Sequence, residues 1–542
     1  MKRLLTLPIW LAALALLHVV SLAPLPWERH ETWQILARPS PDLAALLGVA
    51  VLGAAAGRPR VGAHVGAVLL LAAVLFRNAE FYVQLLLDRA LDLKFDVAEV
   101  AGVVHLLTHD TVPQWLALAG AGLTLLLLEL LLAWAFARVA RPARHGRGAV
   151  LLALALQALV LADVARQSCD RDAVSSWHRS ALVPLARELR QAVAYWLDPE
   201  SVDGPLRARL AEAAAVMAAT PTDLGRLERA DVHFVVVESY GRFAHRSPTV
   251  VAPLRALWRE SAPALRAAGV EVVTAICRPS NTGGASWLSH AQLLSGARID
   301  SRRAWELLLA SDVQPLPQRF RTAGYRTVEV EPAMDRHWPE GQRFYGFDES
   351  LTQLELGYRG TLYHWGRMPD QFALHHLLRE VIEPAEQPLL TMYVSVTSHV
   401  PFVRVPPYVA DWRIDAGTFA GPPRVVHPVS WLDVPHGPRL VEAYADTIEY
   451  ALRCAIGFTE RLPRPSLVIV LGDHQPPIAA VADEPAMAAD VPIHVLANRP
   501  ELLAPLRAIG FVDGWEVPDG AGVFGTAAFA PTFLRLYSRR AD

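Results

Sequence analysis

The sequence predicts two domains with different solvents: an N-terminal bundle of five transmembrane helices, and a C-terminal α/β domain built on a mostly parallel sheet. Three observations predict this. The chain has 542 residues, enough for more than one domain. It is 52% hydrophobic and only 19% charged, with the apolar excess gathered in the first third, whereas soluble domains carry roughly 25% charged residues. From Asp231 onward, short β-branched runs alternate with helical stretches, the pattern of strands covered on both faces. The net charge of −3, with no basic stripe and no interleaved aromatics, argues against nucleic acid as a partner.

Five apolar runs mark the membrane third: Leu4–Leu22, Leu43–Ala56, Val61–Phe76, Leu116–Ala140 and Ala149–Val164. A span takes about 20 helical residues. The first and fourth runs meet this outright; the second and third need flanking residues or tilt. Lys2 and Arg3 before the first run resemble a signal peptide, but no small-residue cleavage site precedes Trp27–His30, so the run reads as an anchor. Lys2 and Arg3, then Arg58 and Arg60, then Arg138, Arg141, Arg144 and Arg147 fall in alternate loops. This places the N-terminus inside and everything after the fifth span outside. The stretch Arg77–Pro113 then lies outside, its apolar spacing (Phe81, Leu85, Leu86, Leu91, Phe95) fitting interfacial amphipathic helices or packing against the soluble domain.

The organisation is therefore a transmembrane domain over 1–167, linker helices over 168–228 and a soluble domain over 229–542. Trp177, Leu182, Leu185, Leu189 and Trp196 form the linker's apolar face. In the soluble part, strands are predicted at Val232–Val237, Val270–Ala275, Arg326–Val330, Leu389–Ser395, Ser466–Leu471 and Pro492–Leu496, with a helix near Val251–Ala268. Cys169, Cys277 and Cys454 form no CxxC pair and read as inert thiols.

Sites in parallel α/β sheets form beyond the carboxyl ends of the strands. Four strand ends carry polar chemistry. The first runs into Glu238-Ser239, the second into a Ser/Thr/Gly-rich loop ending at Ser286, the fourth into Ser398-His399 and the fifth into Gly472-Asp473-His474. Each has a bland reading: an Asp-His turn, a strand-end carboxylate, a helix cap, a proline-adjacent turn. Their joint occurrence on one edge does not. Hard oxygen ligands with imidazole suit a divalent metal such as Mn or Zn. A hydroxyl beside that metal at a helix N-terminus is a nucleophile placed where a phosphate or sulfate group binds.

These residues resemble the alkaline-phosphatase/sulfatase superfamily, and within it the membrane-anchored branch that includes lipoteichoic acid synthase. The segments that carry the likeness are VVVESYGR, NTGGASWLSHAQLLSG, AGYRTVEVEP with FYGFD, VSVTSHVPF and VLGDHQPP, spanning about Asp231 to Phe533. The resemblance implies a sulfatase-like catalytic domain with one divalent ion (Mn, Zn or Mg) held by Glu238, Ser286, Asp473 and His474. It implies that His399 steadies a substrate oxygen or the leaving group. Counting back from the Leu293-Leu294-Ser295-Gly296 corner selects Ser286 as nucleophile, with Thr282 as runner-up. Arg336, His337 and Trp338 occupy the family's aromatic-basic substrate region in a different order. Trp287 and His290 read as core or helix surface. Cys277-Arg-Pro-Ser-Asn281 lacks the arginine that formylglycine formation needs and lies too far from Gly296. Sulfatase is therefore expected here as a family name and not as an activity.

The function these features imply is transfer of a phospholipid head group, phosphoglycerol or phosphoethanolamine, onto an envelope glycan or lipid through a phosphorylated serine or threonine. The expected location is a bacterial inner membrane, multi-pass, with a periplasmic catalytic domain. The alternatives are a hydrolase or phosphodiesterase using water as acceptor, and a non-catalytic envelope assembly or sensor protein.

Overall fold

The structure is a computed structural model. It describes residues 2–22, 40–87, 91–97, 100, 114–141, 148, 151, 155, 157–158, 180–281, 284–361, 363, 368–400, 402, 404–415, 417–420, 424–425, 438–476, 489–517 and 523–539. The chain divides into two compact units, residues 1–84 with 90–199, and residues 85–89 with 200–542.

The first unit is helical: Lys2–Ser21, Pro41–Ala55, Pro59–Leu87, Gln114–Ala140 and Leu182–Leu197 are its longer helices. Two segments are long and apolar enough to cross a membrane, Pro59–Val83 with mean hydropathy 1.8 and Trp115–Ala140 with 2.2. The apolar stretches Pro8–Ser21 and Pro41–Ala55 are shorter. The described residues thus support two of the five expected spans. The first run, expected to span outright, is short here, and the third, expected to need its flanks, reaches 25 residues with them. The fifth run, Ala149–Val164, falls outside the described residues apart from isolated positions, as do Trp177 and most of 88–113. Small residues let these helices approach closely: a Cβ on Gly53 would sit 2.8 Å from the Gly62 Cα. Buried Asp42 is paired, accepting from Arg77 at 2.9 Å and from the Ala181 amide at 2.8 Å.

The second unit is an α/β domain. Its strands are β1 (Asp231–Val237), β2 (Glu271–Arg278), β3 (Arg326–Glu331), β4 (Glu349–Thr352), β5 (Leu389–Val394), β6 (Arg404–Val405), β7 (Arg424–Val425), β8 (Ser466–Gly472), β9 (Val491–Ala497), β10 (Val512–Asp513) and β11 (Val523–Gly525). The main sheet runs β10-β2-β9-β8-β1-β5-β3-β4, with β11 pairing β2. β1 is parallel to β5 and β8, and β3 to β5 and β4. β9 is antiparallel to both neighbours, so the sheet is mixed, with a parallel majority. β1, β5 and β8 are buried at every residue. That is why they read as unbroken apolar runs. Alternate side chains feed two cores, one with Val235, Tyr393 and Val470, the other with Phe234, Met392 and Ile469. Cys277 and Cys454 are buried in these layers. The parallel strands β8, β1, β5 and β3 deliver their carboxyl ends to one edge, and the site is built there.

Candidate metal centre and nucleophile

The centre begins where β1 and β8 stop. Glu238 follows β1 directly, and Ser239 turns the chain sharply, with φ +58°. Its amide donates to Asp473 Oδ1 at 2.8 Å, as does the His474 amide. Gly472 lets β8 come this close to β1: a Cβ there would stand 1.8 Å from the Tyr240 carbonyl oxygen. Ser395 and Ser398 fix Glu238 from the β5 side, the first accepting from its amide at 3.0 Å, the second donating to its carbonyl at 2.6 Å.

Ser286 starts the helix Ser286–Ser295 after two residues with positive φ, Gly284 and Ala285. The Leu288 amide donates to the Ala285 carbonyl at 2.8 Å, and the amides ahead of it face whatever anion sits at the helix end. Ser286 Oγ donates to Glu238 Oε2 at 3.0 Å and lies 3.1 Å from His474 Nε2. Ser289, one turn on, places its Oγ 2.6 Å from the Asp473 carbonyl and ties the helix to the β8 end. Glu238, Asp473 and His474 each offer a ligand atom, all within 4.8 Å of one another. They are 5%, 2% and 2% exposed.

These residues fit a divalent cation. Asp473 Oδ2 is buried and has no hydrogen-bond partner. His474 Nδ1 lies 2.8 Å from the Gln475 carbonyl, and donating to it leaves Nε2 as a lone pair toward the carboxylates. The electrostatics agree. Burial and the charge of Glu238 push Asp473 up to about 7. Burial works against ionised Glu238, yet the charges of His474 and His399 outweigh it and hold Glu238 well below the usual range. Burial lowers His474, but the carboxylates of Asp473 and Glu238 outweigh it and raise the imidazole to about 10. Without a cation, a proton on His474 is the counter-charge; a divalent ion is the stronger substitute.

His399 reaches the same place from β5, its Nδ1 2.7 Å from the Val400 carbonyl. The loop that carries it hangs on buried Asp370, which accepts from Tyr393 Oη at 2.6 Å, from the Val396 amide at 2.8 Å and from the Thr397 amide at 3.3 Å. A cavity of about 310 Å³ opens beside Ser286, Glu238 and His399, and Trp338 lines it. Arg336 and His337 are exposed and are not among its lining; His337 pairs with Glu355 at 3.2 Å. Thr282 lies outside the described residues. Trp287 and His290, assigned to core or helix surface above, line the cavity with Leu294. Their spacing from Ser286 along one helix is the signal that carries them. A larger open groove of about 790 Å³ shares Trp338 but contains none of the metal-centre residues. Cys277 is buried, 3.0 Å from Thr526 Oγ1, and burial pushes its thiol up to about 12. That is an inert thiol.

Comparison with known proteins agrees with this geometry. The family model described as Sulfatase matches residues 282–494, which include Ser286, His399, Asp473 and His474. No curated protein matches the sequence. Solved structures with a similar fold include the lipoteichoic acid synthase LtaP of Listeria monocytogenes, at 13% identity over 61% of this chain and 78% of that one, with TM-score 0.39. Another is the phosphoglycerol transferase GacH of Streptococcus pyogenes in complex with sn-glycerol-1-phosphate, at 11% identity, 62% and 84% coverage and TM-score 0.36. A third is the C-terminal periplasmic domain of EptC from Escherichia coli in complex with Zn, at 14% identity, 57% and 80% coverage and TM-score 0.35. These likenesses are distant, and the assignment rests on the family match together with the motifs it contains. The second unit therefore contains a region, residues 282–494, that matches the Sulfatase family model.

Proposed function

We propose that this protein is a membrane-anchored transferase that moves a phospho-alcohol head group from a phospholipid, through Ser286, to a hydroxyl of an envelope glycan or lipid. One observation supports it above the others. Ser286 Oγ stands at a helix N-terminus within hydrogen-bond distance of Glu238 and His474, beside a buried oxygen of Asp473 that has no hydrogen bond.

Glu238, Asp473, His474 and Ser286 would hold a divalent ion, which would supply positive charge favouring loss of the serine proton and neutralising a phosphodiester. The rest belongs to the chain's own residues. Ser286 Oγ attacks phosphorus, the Oγ–P bond forms and the P–O bond to diacylglycerol breaks. The serine proton ends on the diacylglycerol oxygen. The amides of the helix start and the imidazole of His399 face the charge that develops on the phosphoryl oxygens. An acceptor hydroxyl then attacks the same phosphorus, the Oγ–P bond breaks and the proton returns to Ser286. The apolar helices of the first unit keep enzyme and lipid donor in the same two dimensions, which raises their effective concentration. The alternation of arginine-bearing loops supports an extracytoplasmic second unit.

The test is the intact mass of the purified full chain with Mn²⁺ after exposure to phospholipid vesicles, followed by peptide mapping. A phospho-alcohol adduct on Ser286, lost in Glu238→Ala and Asp473→Ala, is expected. An adduct on Thr282 moves the nucleophile and keeps the mechanism. Absence of any adduct, with release of free head group unaffected by Ser286→Ala, overturns the reading.

A further inference from the structure

The cavity beside Ser286 has a wall that the transfer chemistry does not use. Glu329 and Glu331 sit two apart on β3, so both side chains project from one face of the sheet, while Val328 and Val330 fill the core on the other. Both carboxyls line the cavity. Ser350 donates to Glu329 Oε2 at 3.2 Å. The Glu331 carboxyl has neither hydrogen bond nor ion pair among the described residues. With Glu238, three carboxyl groups line the cavity and no lysine or arginine does, among the described residues.

Two further observations point to a ligand. His290 Nε2 lines the same cavity as a buried atom without a hydrogen-bond partner. Opposite in chemistry to the carboxyls, Trp287, Trp338 and Tyr345 also line the cavity, and Trp305, outside that lining, packs against both tryptophans. Trp287 meets Trp305 edge-on at 4.7 Å, Trp305 stacks on Trp338 at 5.2 Å, and Trp338 meets Tyr345 edge-on at 6.2 Å. Aromatic faces attract cations, quaternary ammonium groups above all, by about 0.5–2 kcal/mol. Such packed rings are held in place before a ligand arrives. A neutral polyol gains less from those faces than a cation does, and an anionic group finds no lysine or arginine in the described lining.

We propose that the head group admitted here carries a positive charge, an ammonium-bearing alcohol of the ethanolamine or choline class, held by Glu329 and Glu331 against the Trp287–Trp338–Tyr345 wall. This rests on the head-group transfer reading for its link to turnover, and on the cavity alone for binding. The electrostatics of the pocket agree: burial raises Glu329 to about 7, and burial with the charge of Glu329 raises Glu331 well above the usual range. A bound ammonium is the missing counter-charge. A volume of about 310 Å³ suits a head group and leaves the acyl chains outside.

Binding and transfer are tested separately. Tryptophan fluorescence of the full chain in detergent with Mn²⁺ is titrated with phosphocholine, phosphoethanolamine and sn-glycerol-phosphate. At least one amine compound is expected to bind tenfold or more tighter than glycerol phosphate. Glu331→Gln and Glu329→Gln, whose folding is checked by melting, are expected to remove most of that preference. Equal affinity for glycerol phosphate, or a preference that survives the double Gln variant, overturns the proposal. In parallel, Ser286 adducts are compared on vesicles of phosphatidylethanolamine, phosphatidylcholine and phosphatidylglycerol. An adduct formed fastest from phosphatidylglycerol overturns the proposal and leaves the transferase reading standing. An amine preference in binding, with no adduct from any lipid, sustains the cavity assignment and removes the transferase reading.

Discussion

Asp473→Asn separates a metal centre from a merely structural carboxylate, because its effect on stability changes sign with the cation. In the cation-free domain, Asp473 Oδ1 is fully used by two amides at 2.8 Å, whereas Oδ2 is buried without a hydrogen bond, close to Glu238 and 3.5 Å from His474 Nε2. Asparagine keeps the accepting oxygen, removes the charge and turns the orphan position into a donor toward Glu238. An unsatisfied buried polar group costs about 1–3 kcal/mol, more when charged, so the cation-free variant gains about that much. The wild type instead gains on adding Mn²⁺ or Zn²⁺, by about 2.7 kcal/mol at a hundredfold excess over Kd. Domains of a few hundred residues shift by roughly 2–4 °C per kcal/mol. The expected result is a variant melting about 2–12 °C above wild type in chelator, and a wild type that rises by roughly 5–10 °C with metal while the variant stays put. Cys277 and Cys454 are fully buried in this unit, so a thiol-reactive dye reads its melting in the intact detergent-solubilised chain. A variant that melts lower than wild type in chelator, or that keeps the metal shift, would refute the reasoning.

Three further expectations follow from single side chains. His233 is fully buried in β1, with Nδ1 2.8 Å from Thr391 Oγ1 and Nε2 unpartnered, and burial lowers it to about 3. A depressed folded pKa gives stability that is present above the unfolded value near 6.5 and is lost as pH falls, about 2 kcal/mol by pH 5; His233→Gln should flatten the fall in melting temperature between pH 6.5 and 5, and a parallel profile would count against it. Asp370→Asn weakens the charge-assisted bonds that hold the His399 loop, so adduct formation should slow severalfold and stability drop by about 1–3 kcal/mol, with the metal-induced melting shift unchanged; a lost metal shift would place Asp370 in the centre itself. Cys277→Ser should leave Ser286 chemistry intact, and the mapped Cys277 peptide of the wild type should carry no oxidation to an aldehyde; an aldehyde there would restore the formylglycine alternative.

Much of the candidate metal centre was legible because its residues follow buried strands. An unbroken apolar run such as Val232–Val237 or Ser466–Leu471 ends where polarity begins, so Glu238 and Asp473-His474 announce themselves. Two kinds of residue were hidden. Trp287, His290 and Leu294 share one helical face by their i, i+3, i+7 spacing, but that pattern normally means core; the cavity beside it comes from strands some forty to a hundred residues further on. Glu329 and Glu331 alternate with Val328 and Val330, the ordinary sign of a strand with one solvated face, and that face looks into a cavity instead. Asp370 was illegible for another reason. It acts through backbone amides of Val396 and Thr397, and a carboxylate that accepts from amides leaves no trace in the partner's residue type. The membrane third was read through hydropathy alone, which sets length; Pro59–Val83 shows how flanking residues extend a run beyond its apolar core.

The strand order explains how one edge can carry two chemistries. From β8 through β1 and β5 to β3, all neighbours are parallel, so four carboxyl ends stand side by side. β8 and β1 bring Asp473, His474 and Glu238; β5 brings His399; β3 brings Glu329 and Glu331. The proposed cation and phosphoryl group thus occupy one half of the edge, and the proposed ammonium group the other, with His399 between them in strand order. β9 runs the opposite way, so its carboxyl end contributes nothing to this edge, and Ser286 reaches the centre through the loop and helix after β2. Groups on separate strands with no shared hydrogen bond should act independently. Glu331→Gln combined with Asp473→Asn should therefore show a head-group preference lost as in the first single variant and a metal shift lost as in the second. Strong coupling between the two would mean that the acidic pair helps to hold the cation, and the division of the edge drawn here would be wrong.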